Sequence, residues 1–349
     1  MEPSLRSKIK LVLMGVLLPA FLIWALYFTF ILHFHIATHQ ISLLRSEYYS
    51  RFMSGKVRKA YPRIQYVMFG DSTARTALNP RQITSHFGVN LALNNGSIQT
   101  SYFGLRKYLQ IFPPPGCVLI ATQYNYKRNY RKFHPGVARF WIYDPLDLQE
   151  IWFFSRAHGV FPASEQGWLS FTTDSLRALF RLDDIPLGEI RSAFQRRERR
   201  KIREKVSPRR GIEYYRGHQS FDADRVLPES KFFREELHGW FRIPFEPSDS
   251  EDFYLNEMAR LTAEAGTQLI LVPLPVAESD YFEATRPHLR DRNAHFARLA
   301  QANPRIQVVS LPETWKRSNF LDFNHFNSLG AAEMTSVIQQ ILSEKCPAR

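Results

Sequence analysis

A serine, a histidine and an aspartate can together move a proton and an acyl group. This 349-residue chain holds those residue types in two short motifs far apart. The first is Gly70-Asp71-Ser72, which closes the apolar run Tyr66-Val67-Met68-Phe69. An acid and a hydroxyl delivered at a strand end lie at the carboxyl edge of a sheet, where open α/β folds carry their sites. Turn hydrogen bonding alone also accounts for Asp and Ser in such a place. The second motif is Asp322-Phe323-Asn324-His325. In a compact turn, a carboxylate three residues ahead of a histidine can bond one imidazole nitrogen and leave the other facing outward. That fixes the tautomer a general base needs against a serine hydroxyl. With 11 histidines in the chain, such a pair arises easily by chance. Its position is more specific: one motif opens the strand–helix pattern and the other closes it. Arg75, just past the serine, is a candidate for an anionic substrate group or a structural ion pair. Asn327 is a candidate brace for the loop and substrate contact, and Ser328 is the predicted cap of the last helix.

The elements that must position these residues read as an α/β pattern. Apolar strands are predicted at 66–69, 89–93, 117–122, 268–272 and 306–311, with helices at 80–86, 100–109, 252–265, 286–303 and 328–343. Continuous apolar strands separated by helices predict a mostly parallel sheet covered on both faces. The beat breaks over about 127–250, where only 146–154 and 173–182 read as helical. That insertion carries a basic run from Arg191 to Arg210. It is either a solvated amphipathic helix or a cationic surface for lipid head groups or an acidic polymer.

Residues 11–32 form a 22-residue stretch without charge. As a helix it would reach about 33 Å, enough to cross a bilayer core. It is too long for a secretory signal's apolar region and lacks a small-residue cleavage site, so a signal anchor is the expectation. The expected order is a cytoplasmic tail at 1–10, the anchor at 11–32, a helical stalk at 33–60 and a domain at 61–349. Arg6, Lys8 and Lys10 favour an inside N-terminus, although basic residues follow the span as well. The net charge of +13 suits anionic lipid or glycan outside the cytoplasm. No zinc or RNA-binding signature accompanies it, which disfavours nucleic acid. Two cysteines, Cys117 and Cys346, could pair in an oxidising compartment, but nothing in the sequence requires it.

Gly70-Asp71-Ser72 and Asp322-x-x-His325 together resemble the SGNH, or GDSL-like, hydrolase superfamily over roughly 62–126 and 251–343. The resemblance implies a flavodoxin-like three-layer α/β fold with a mostly parallel sheet and a Ser72–His325–Asp322 triad. It also implies an oxyanion hole from the Ser72 and Gly96 amides with Asn125, no metal and no other cofactor. Asn125 sits in Gln123-Tyr124-Asn125-Tyr126, a departure from the family's usual Gly-x-Asn-Asp. Asp71 joins Arg75 and Asn327 as a candidate substrate contact. The anchored plan is similar to the alginate O-acetylation and teichoic acid D-alanylation proteins. That likeness implies a single-pass protein of the bacterial inner membrane with its domain in the periplasm. It implies a polytopic membrane O-acyltransferase as partner, beside the membrane lipid, and an envelope polysaccharide as substrate for acyl transfer or ester hydrolysis. A catalytically inactive scaffold that binds glycan or a membrane partner is the alternative; a structural envelope protein is another.

Overall fold

The computed structural model describes residues 63–93, 96–122, 143, 145–159, 167–179, 217–219, 245–278 and 282–346, with 15, 18–19, 21–26 and 52. The chain divides into two compact units, Met1–Leu44 with Asp184–Val206, and Arg45–Asp183 with Ser207–Arg349. The first contributes a short helical piece in which Phe21, Leu22, Ile23 and Leu26 are exposed. Among the described residues no helix is long and apolar enough to cross a membrane. Most of the expected anchor at 11–32, and all of the basic run, lie outside them. Of the expected stalk only Phe52 is described; it is fully buried and stacks on Phe112 at 4.7 Å.

The second unit is built on a parallel sheet of five strands: β1 (Tyr66–Gly70), β2 (Gly88–Asn90), β3 (Cys117–Thr122), β4 (Gln268–Pro273) and β6 (Ile306–Val308). Their order is β2-β1-β3-β4-β6, and every pairing is parallel. Two shorter strands, β5 (Val276–Ala277) and β7 (Thr314–Trp315), pair separately. Alternation sends successive side chains to opposite faces. Val67 and Phe69 of β1 join one core with Val118, Ile120, Leu269 and Leu271. Helices α2 (Ile98–Ile111), α3 (Pro145–His158), α4 (Trp168–Leu179) and α5 (Asp249–Glu264) close that core. Tyr66 and Met68 face the other way, with Leu119, Ile270 and Val272. There α1 (Ser72–Ala77) and α7 (Ser328–Lys345) cover them. The result is three layers, helix on sheet on helix. Helix α6 (Phe282–Ala302) connects β4 to β6.

Two local expectations change. Residues 80–86 are turns, and the helix falls earlier, at Ser72 itself. Asn79 starts a turn by accepting from the Arg81 and Gln82 amides, at 3.1 and 3.0 Å. The Thr84 amide then donates to Gln339 on α7 instead of continuing a helix. The cap of α7 is Asn327, not Ser328, its side chain accepting from the Leu329 and Gly330 amides. A disulfide joins Cys117 at the start of β3 to Cys346 at the end of α7, with Cα atoms 5.6 Å apart.

Candidate active site

From β1 the chain moves to β2 on one side, then crosses back to β3 on the other, so the carboxyl ends of β1 and β3 flank a topological switch point. Gly70 ends β1 there with φ 149°, a conformation costly for any residue with a Cβ. A Cβ on Gly70 would lie 2.0 Å from the Ala121 carbonyl oxygen and 2.7 Å from the Ala74 side chain. This wedge lets α1 begin immediately, and Ser72 is its first residue.

Asp71 caps α1. Its Oδ1 accepts from the Thr73 amide at 2.8 Å, the Ala74 amide at 3.2 Å and the Thr73 hydroxyl. Its Oδ2 accepts from Thr122 Oγ1 at the end of β3, at 3.4 Å. These bonds place the carboxylate at the helix start, where a negative charge is favourable. The Ser72 amide is not one of those taken by the cap.

The other end of α1 is also fixed. Asn90 donates to the Ala74 and Leu78 carbonyls, both at 3.1 Å. Gln219 N and His218 Nδ1, from the insertion, both lie against the Arg75 carbonyl, at 3.1 and 3.2 Å. Burial, helped by the Arg75 charge, lowers the His218 ring to about 4 against two backbone hydrogen bonds that raise it, so it is neutral near pH 7. Arg75, the candidate for a substrate anion or a structural ion pair, is 2% exposed. Nothing in the sequence around His218 marks it as a neighbour of Ser72; the contact spans 143 residues.

The acid and the histidine sit in the loop between β7 and α7. His325 Nδ1 lies 2.8 Å from Asp322 Oδ2, and His325 Nε2 lies 2.9 Å from Ser72 Oγ. Asp322 Oδ1 accepts from the Asn324 and His325 amides, at 3.0 and 2.8 Å. Burial pushes the Asp322 carboxyl up, but the His325 bond and charge and the two amides outweigh it, leaving it below the usual carboxylate range. Arg317 donates to the Phe320 and Asp322 carbonyls at 3.1 and 2.9 Å. Leu321 N donates to the His325 carbonyl, which closes the loop on itself. Asn327 is fully buried and donates to the Ser318 carbonyl at 2.7 Å. It braces the loop and caps α7.

Gly96 follows β2. A Cβ there would stand 2.2 Å from the Gly70 carbonyl, so this glycine is required for close backbone approach to the nucleophile corner. Its amide, the expected oxyanion donor, donates to the Leu93 carbonyl at 3.1 Å. The neighbouring start of α2 is held by Ser97 and by buried Glu251 of α5, which accepts from the Ile98 and Gln99 amides. Asn125 lies outside the described residues. Among the described residues no cluster of His, Cys, Asp or Glu could hold a metal ion.

The structure therefore brings together Ser72, His325 and Asp322, on bases of very different local sequence. Such an arrangement can transfer a proton from a hydroxyl to an imidazole whose other nitrogen is held by a carboxylate. No protein-family model matches the chain, and no curated protein matches it.

Proposed function

We propose that this chain is a membrane-anchored, extracytoplasmic SGNH-like acyltransferase or esterase acting on O-acyl groups of a cell-envelope polysaccharide. The observation that carries the reading is the hydrogen-bond chain from Ser72 Oγ through His325 to Asp322, at 2.9 and 2.8 Å. The strand order, which is that of flavodoxin-like doubly wound sheets, supports the family resemblance. The uncharged stretch at 11–32 supports the anchor. The Cys117–Cys346 disulfide supports an oxidising compartment. A polytopic membrane O-acyltransferase is the partner this plan requires as a source of acyl groups.

In the first step His325 Nε2 takes the proton of Ser72 Oγ as the oxygen attacks the acyl carbonyl carbon. The imidazolium returns that proton to the leaving oxygen, and the acyl group stays on Ser72. A sugar hydroxyl or water then gives its proton to His325 and attacks the acyl-serine, and the proton returns to Ser72 as the new ester or acid departs. Asp322 holds the Nδ1–H throughout and stabilises the imidazolium. The Ser72 amide is the oxyanion donor this mechanism uses first. The engaged Gly96 amide favours a slower catalyst, since each missing donor costs about 10²–10³ in turnover. The same engagement is what favours the alternative reading, an inactive scaffold that binds glycan or a membrane partner.

The deciding experiment treats the solubilised full-length chain with a fluorophosphonate probe and with p-nitrophenyl acetate. The natural chain is expected to label and to hydrolyse the ester, with Ser72→Ala losing labelling and about 10⁴-fold or more of turnover. Ester cleavage that persists undiminished in Ser72→Ala removes Ser72 as nucleophile. A natural chain inert to both reagents favours the scaffold.

A further inference from the structure

Ser72 and Thr76 lie four residues apart on α1 and so share one face of that helix. Ser72 meets His325, and Thr76 meets the next residue: the Phe326 amide donates to Thr76 Oγ1 at 3.1 Å. The same hydroxyl donates to the Thr73 carbonyl at 3.0 Å, so its acceptor lone pairs are turned away from its own helix. Thr76 is 1% exposed and Phe326 is fully buried, so the bond is shielded from water. Phe326 is itself anchored by a bridge to Phe320 and by ring contacts with Phe320 and Trp315, at 4.6 and 6.0 Å. Helix and loop are thus joined by the reacting pair and also by a pair that does not react.

We infer that Thr76 is a positioning residue: its hydroxyl sets the distance between Ser72 Oγ and His325 Nε2 by holding the backbone directly after His325 to the nucleophile helix. This rests on the acyl-transfer reading above. During turnover the Ser72–His325 bond is broken and remade, because the serine hydrogen leaves and the oxygen becomes acylated. The Thr76–Phe326 bond involves no atom that changes, so it keeps the two elements in register while the first bond is absent. The Arg317 contacts fix the loop internally but do not reach α1 in the same way. Asn79 N to Thr335 Oγ1, at 3.0 Å, ties the region after α1 to α7 and leaves the loop untouched.

The test compares the full-length chain with Thr76→Val, Thr76→Ala and Thr76→Ser, at a temperature where melting curves show each fully folded. Readouts are kcat and KM for p-nitrophenyl acetate and the fluorophosphonate labelling rate. Removing the oxygen is expected to lower kcat and labelling about 10²-fold with KM little changed, because reacting groups lose about that factor when misplaced by an ångström. Thr76→Ser keeps the oxygen and is expected to retain most of the natural rate. If the core rejects valine, Thr76→Ala removes the same oxygen without adding bulk. Natural rates in a folded Val or Ala variant overturn the inference alone. A natural chain that neither labels nor hydrolyses overturns the acyl-transfer reading instead, and this role with it.

Discussion

Ser72 and His325 reach one point from opposite ends of the chain, and the two ends are held differently. The Ser72 corner is a steric device. Gly70 is wedged against Ala121 and Ala74, and Gly96 against Gly70, so main chain touches main chain with no room for a Cβ. The His325 loop is a polar device. Asp322, Arg317 and Asn327 hold it by bonds from side chains to backbone groups. A steric corner tolerates almost no change at its glycines, whatever polar bonds the helix after it also makes. A polar loop degrades in steps, one hydrogen bond at a time.

The largest effect should separate these two regimes. Gly70→Ala is expected to destabilise the fold by about 4 kcal/mol or more, since it combines an unfavourable φ with a backbone clash, and thermal melting reads this directly. A small shift there would mean that the corner yields and is not a wedge. The next effect is pH-dependent. His218 sits against the Arg75 carbonyl, and burial favours its neutral ring, lowering its ordinary pKa of 6.5 to about 4. Above pH 6.5 its support is complete. As pH falls, the unfolded chain takes up the proton first, so stability declines until the folded ring titrates near 4. The loss is on the order of 3 kcal/mol. In His218→Gln the decline between pH 6.5 and 4 should flatten by that amount in chemical denaturation; an unchanged slope would remove His218 from the corner. The smallest effect belongs to the loop. Asn327→Ala should cost about 1–2 kcal/mol by loss of a helix cap, with KM unchanged. A raised KM at unchanged stability would instead make Asn327 a substrate contact.

Legibility in the sequence follows the same division. β3 at 117–122 could be read to the residue, because a strand buried on both faces is written as an unbroken apolar run. Gly70-Asp71-Ser72 and Asp322-x-x-His325 were visible because each motif's internal spacing is local. What Asp71, Arg75 and Asn327 touch was not visible, since polar residues near a candidate nucleophile suggest substrate while their burial depends on distant partners. Thr122 for Asp71, residues 217–219 for Arg75 and Ser318 for Asn327 come from other elements. The turn at 80–86 in place of a helix has the same cause: an Asn-Pro start signals a cap, yet Thr84 finds its partner on α7. The sequence motif points to the amide of Gly96, whereas its missing side chain is what lets the backbone approach Gly70.

The Cys117–Cys346 bond has a topological consequence for the site. Ser72 precedes Cys117, His325 lies shortly before Cys346, and 229 residues separate the two cysteines. A cut anywhere in the insertion at 127–250 would therefore leave a serine-bearing fragment and a histidine-bearing fragment still covalently joined. A covalent link across so long a loop also restrains the unfolded chain, by about 5 kcal/mol in the chain-entropy account. The insertion is thus a place where the polypeptide can be opened without releasing either half of the reacting pair.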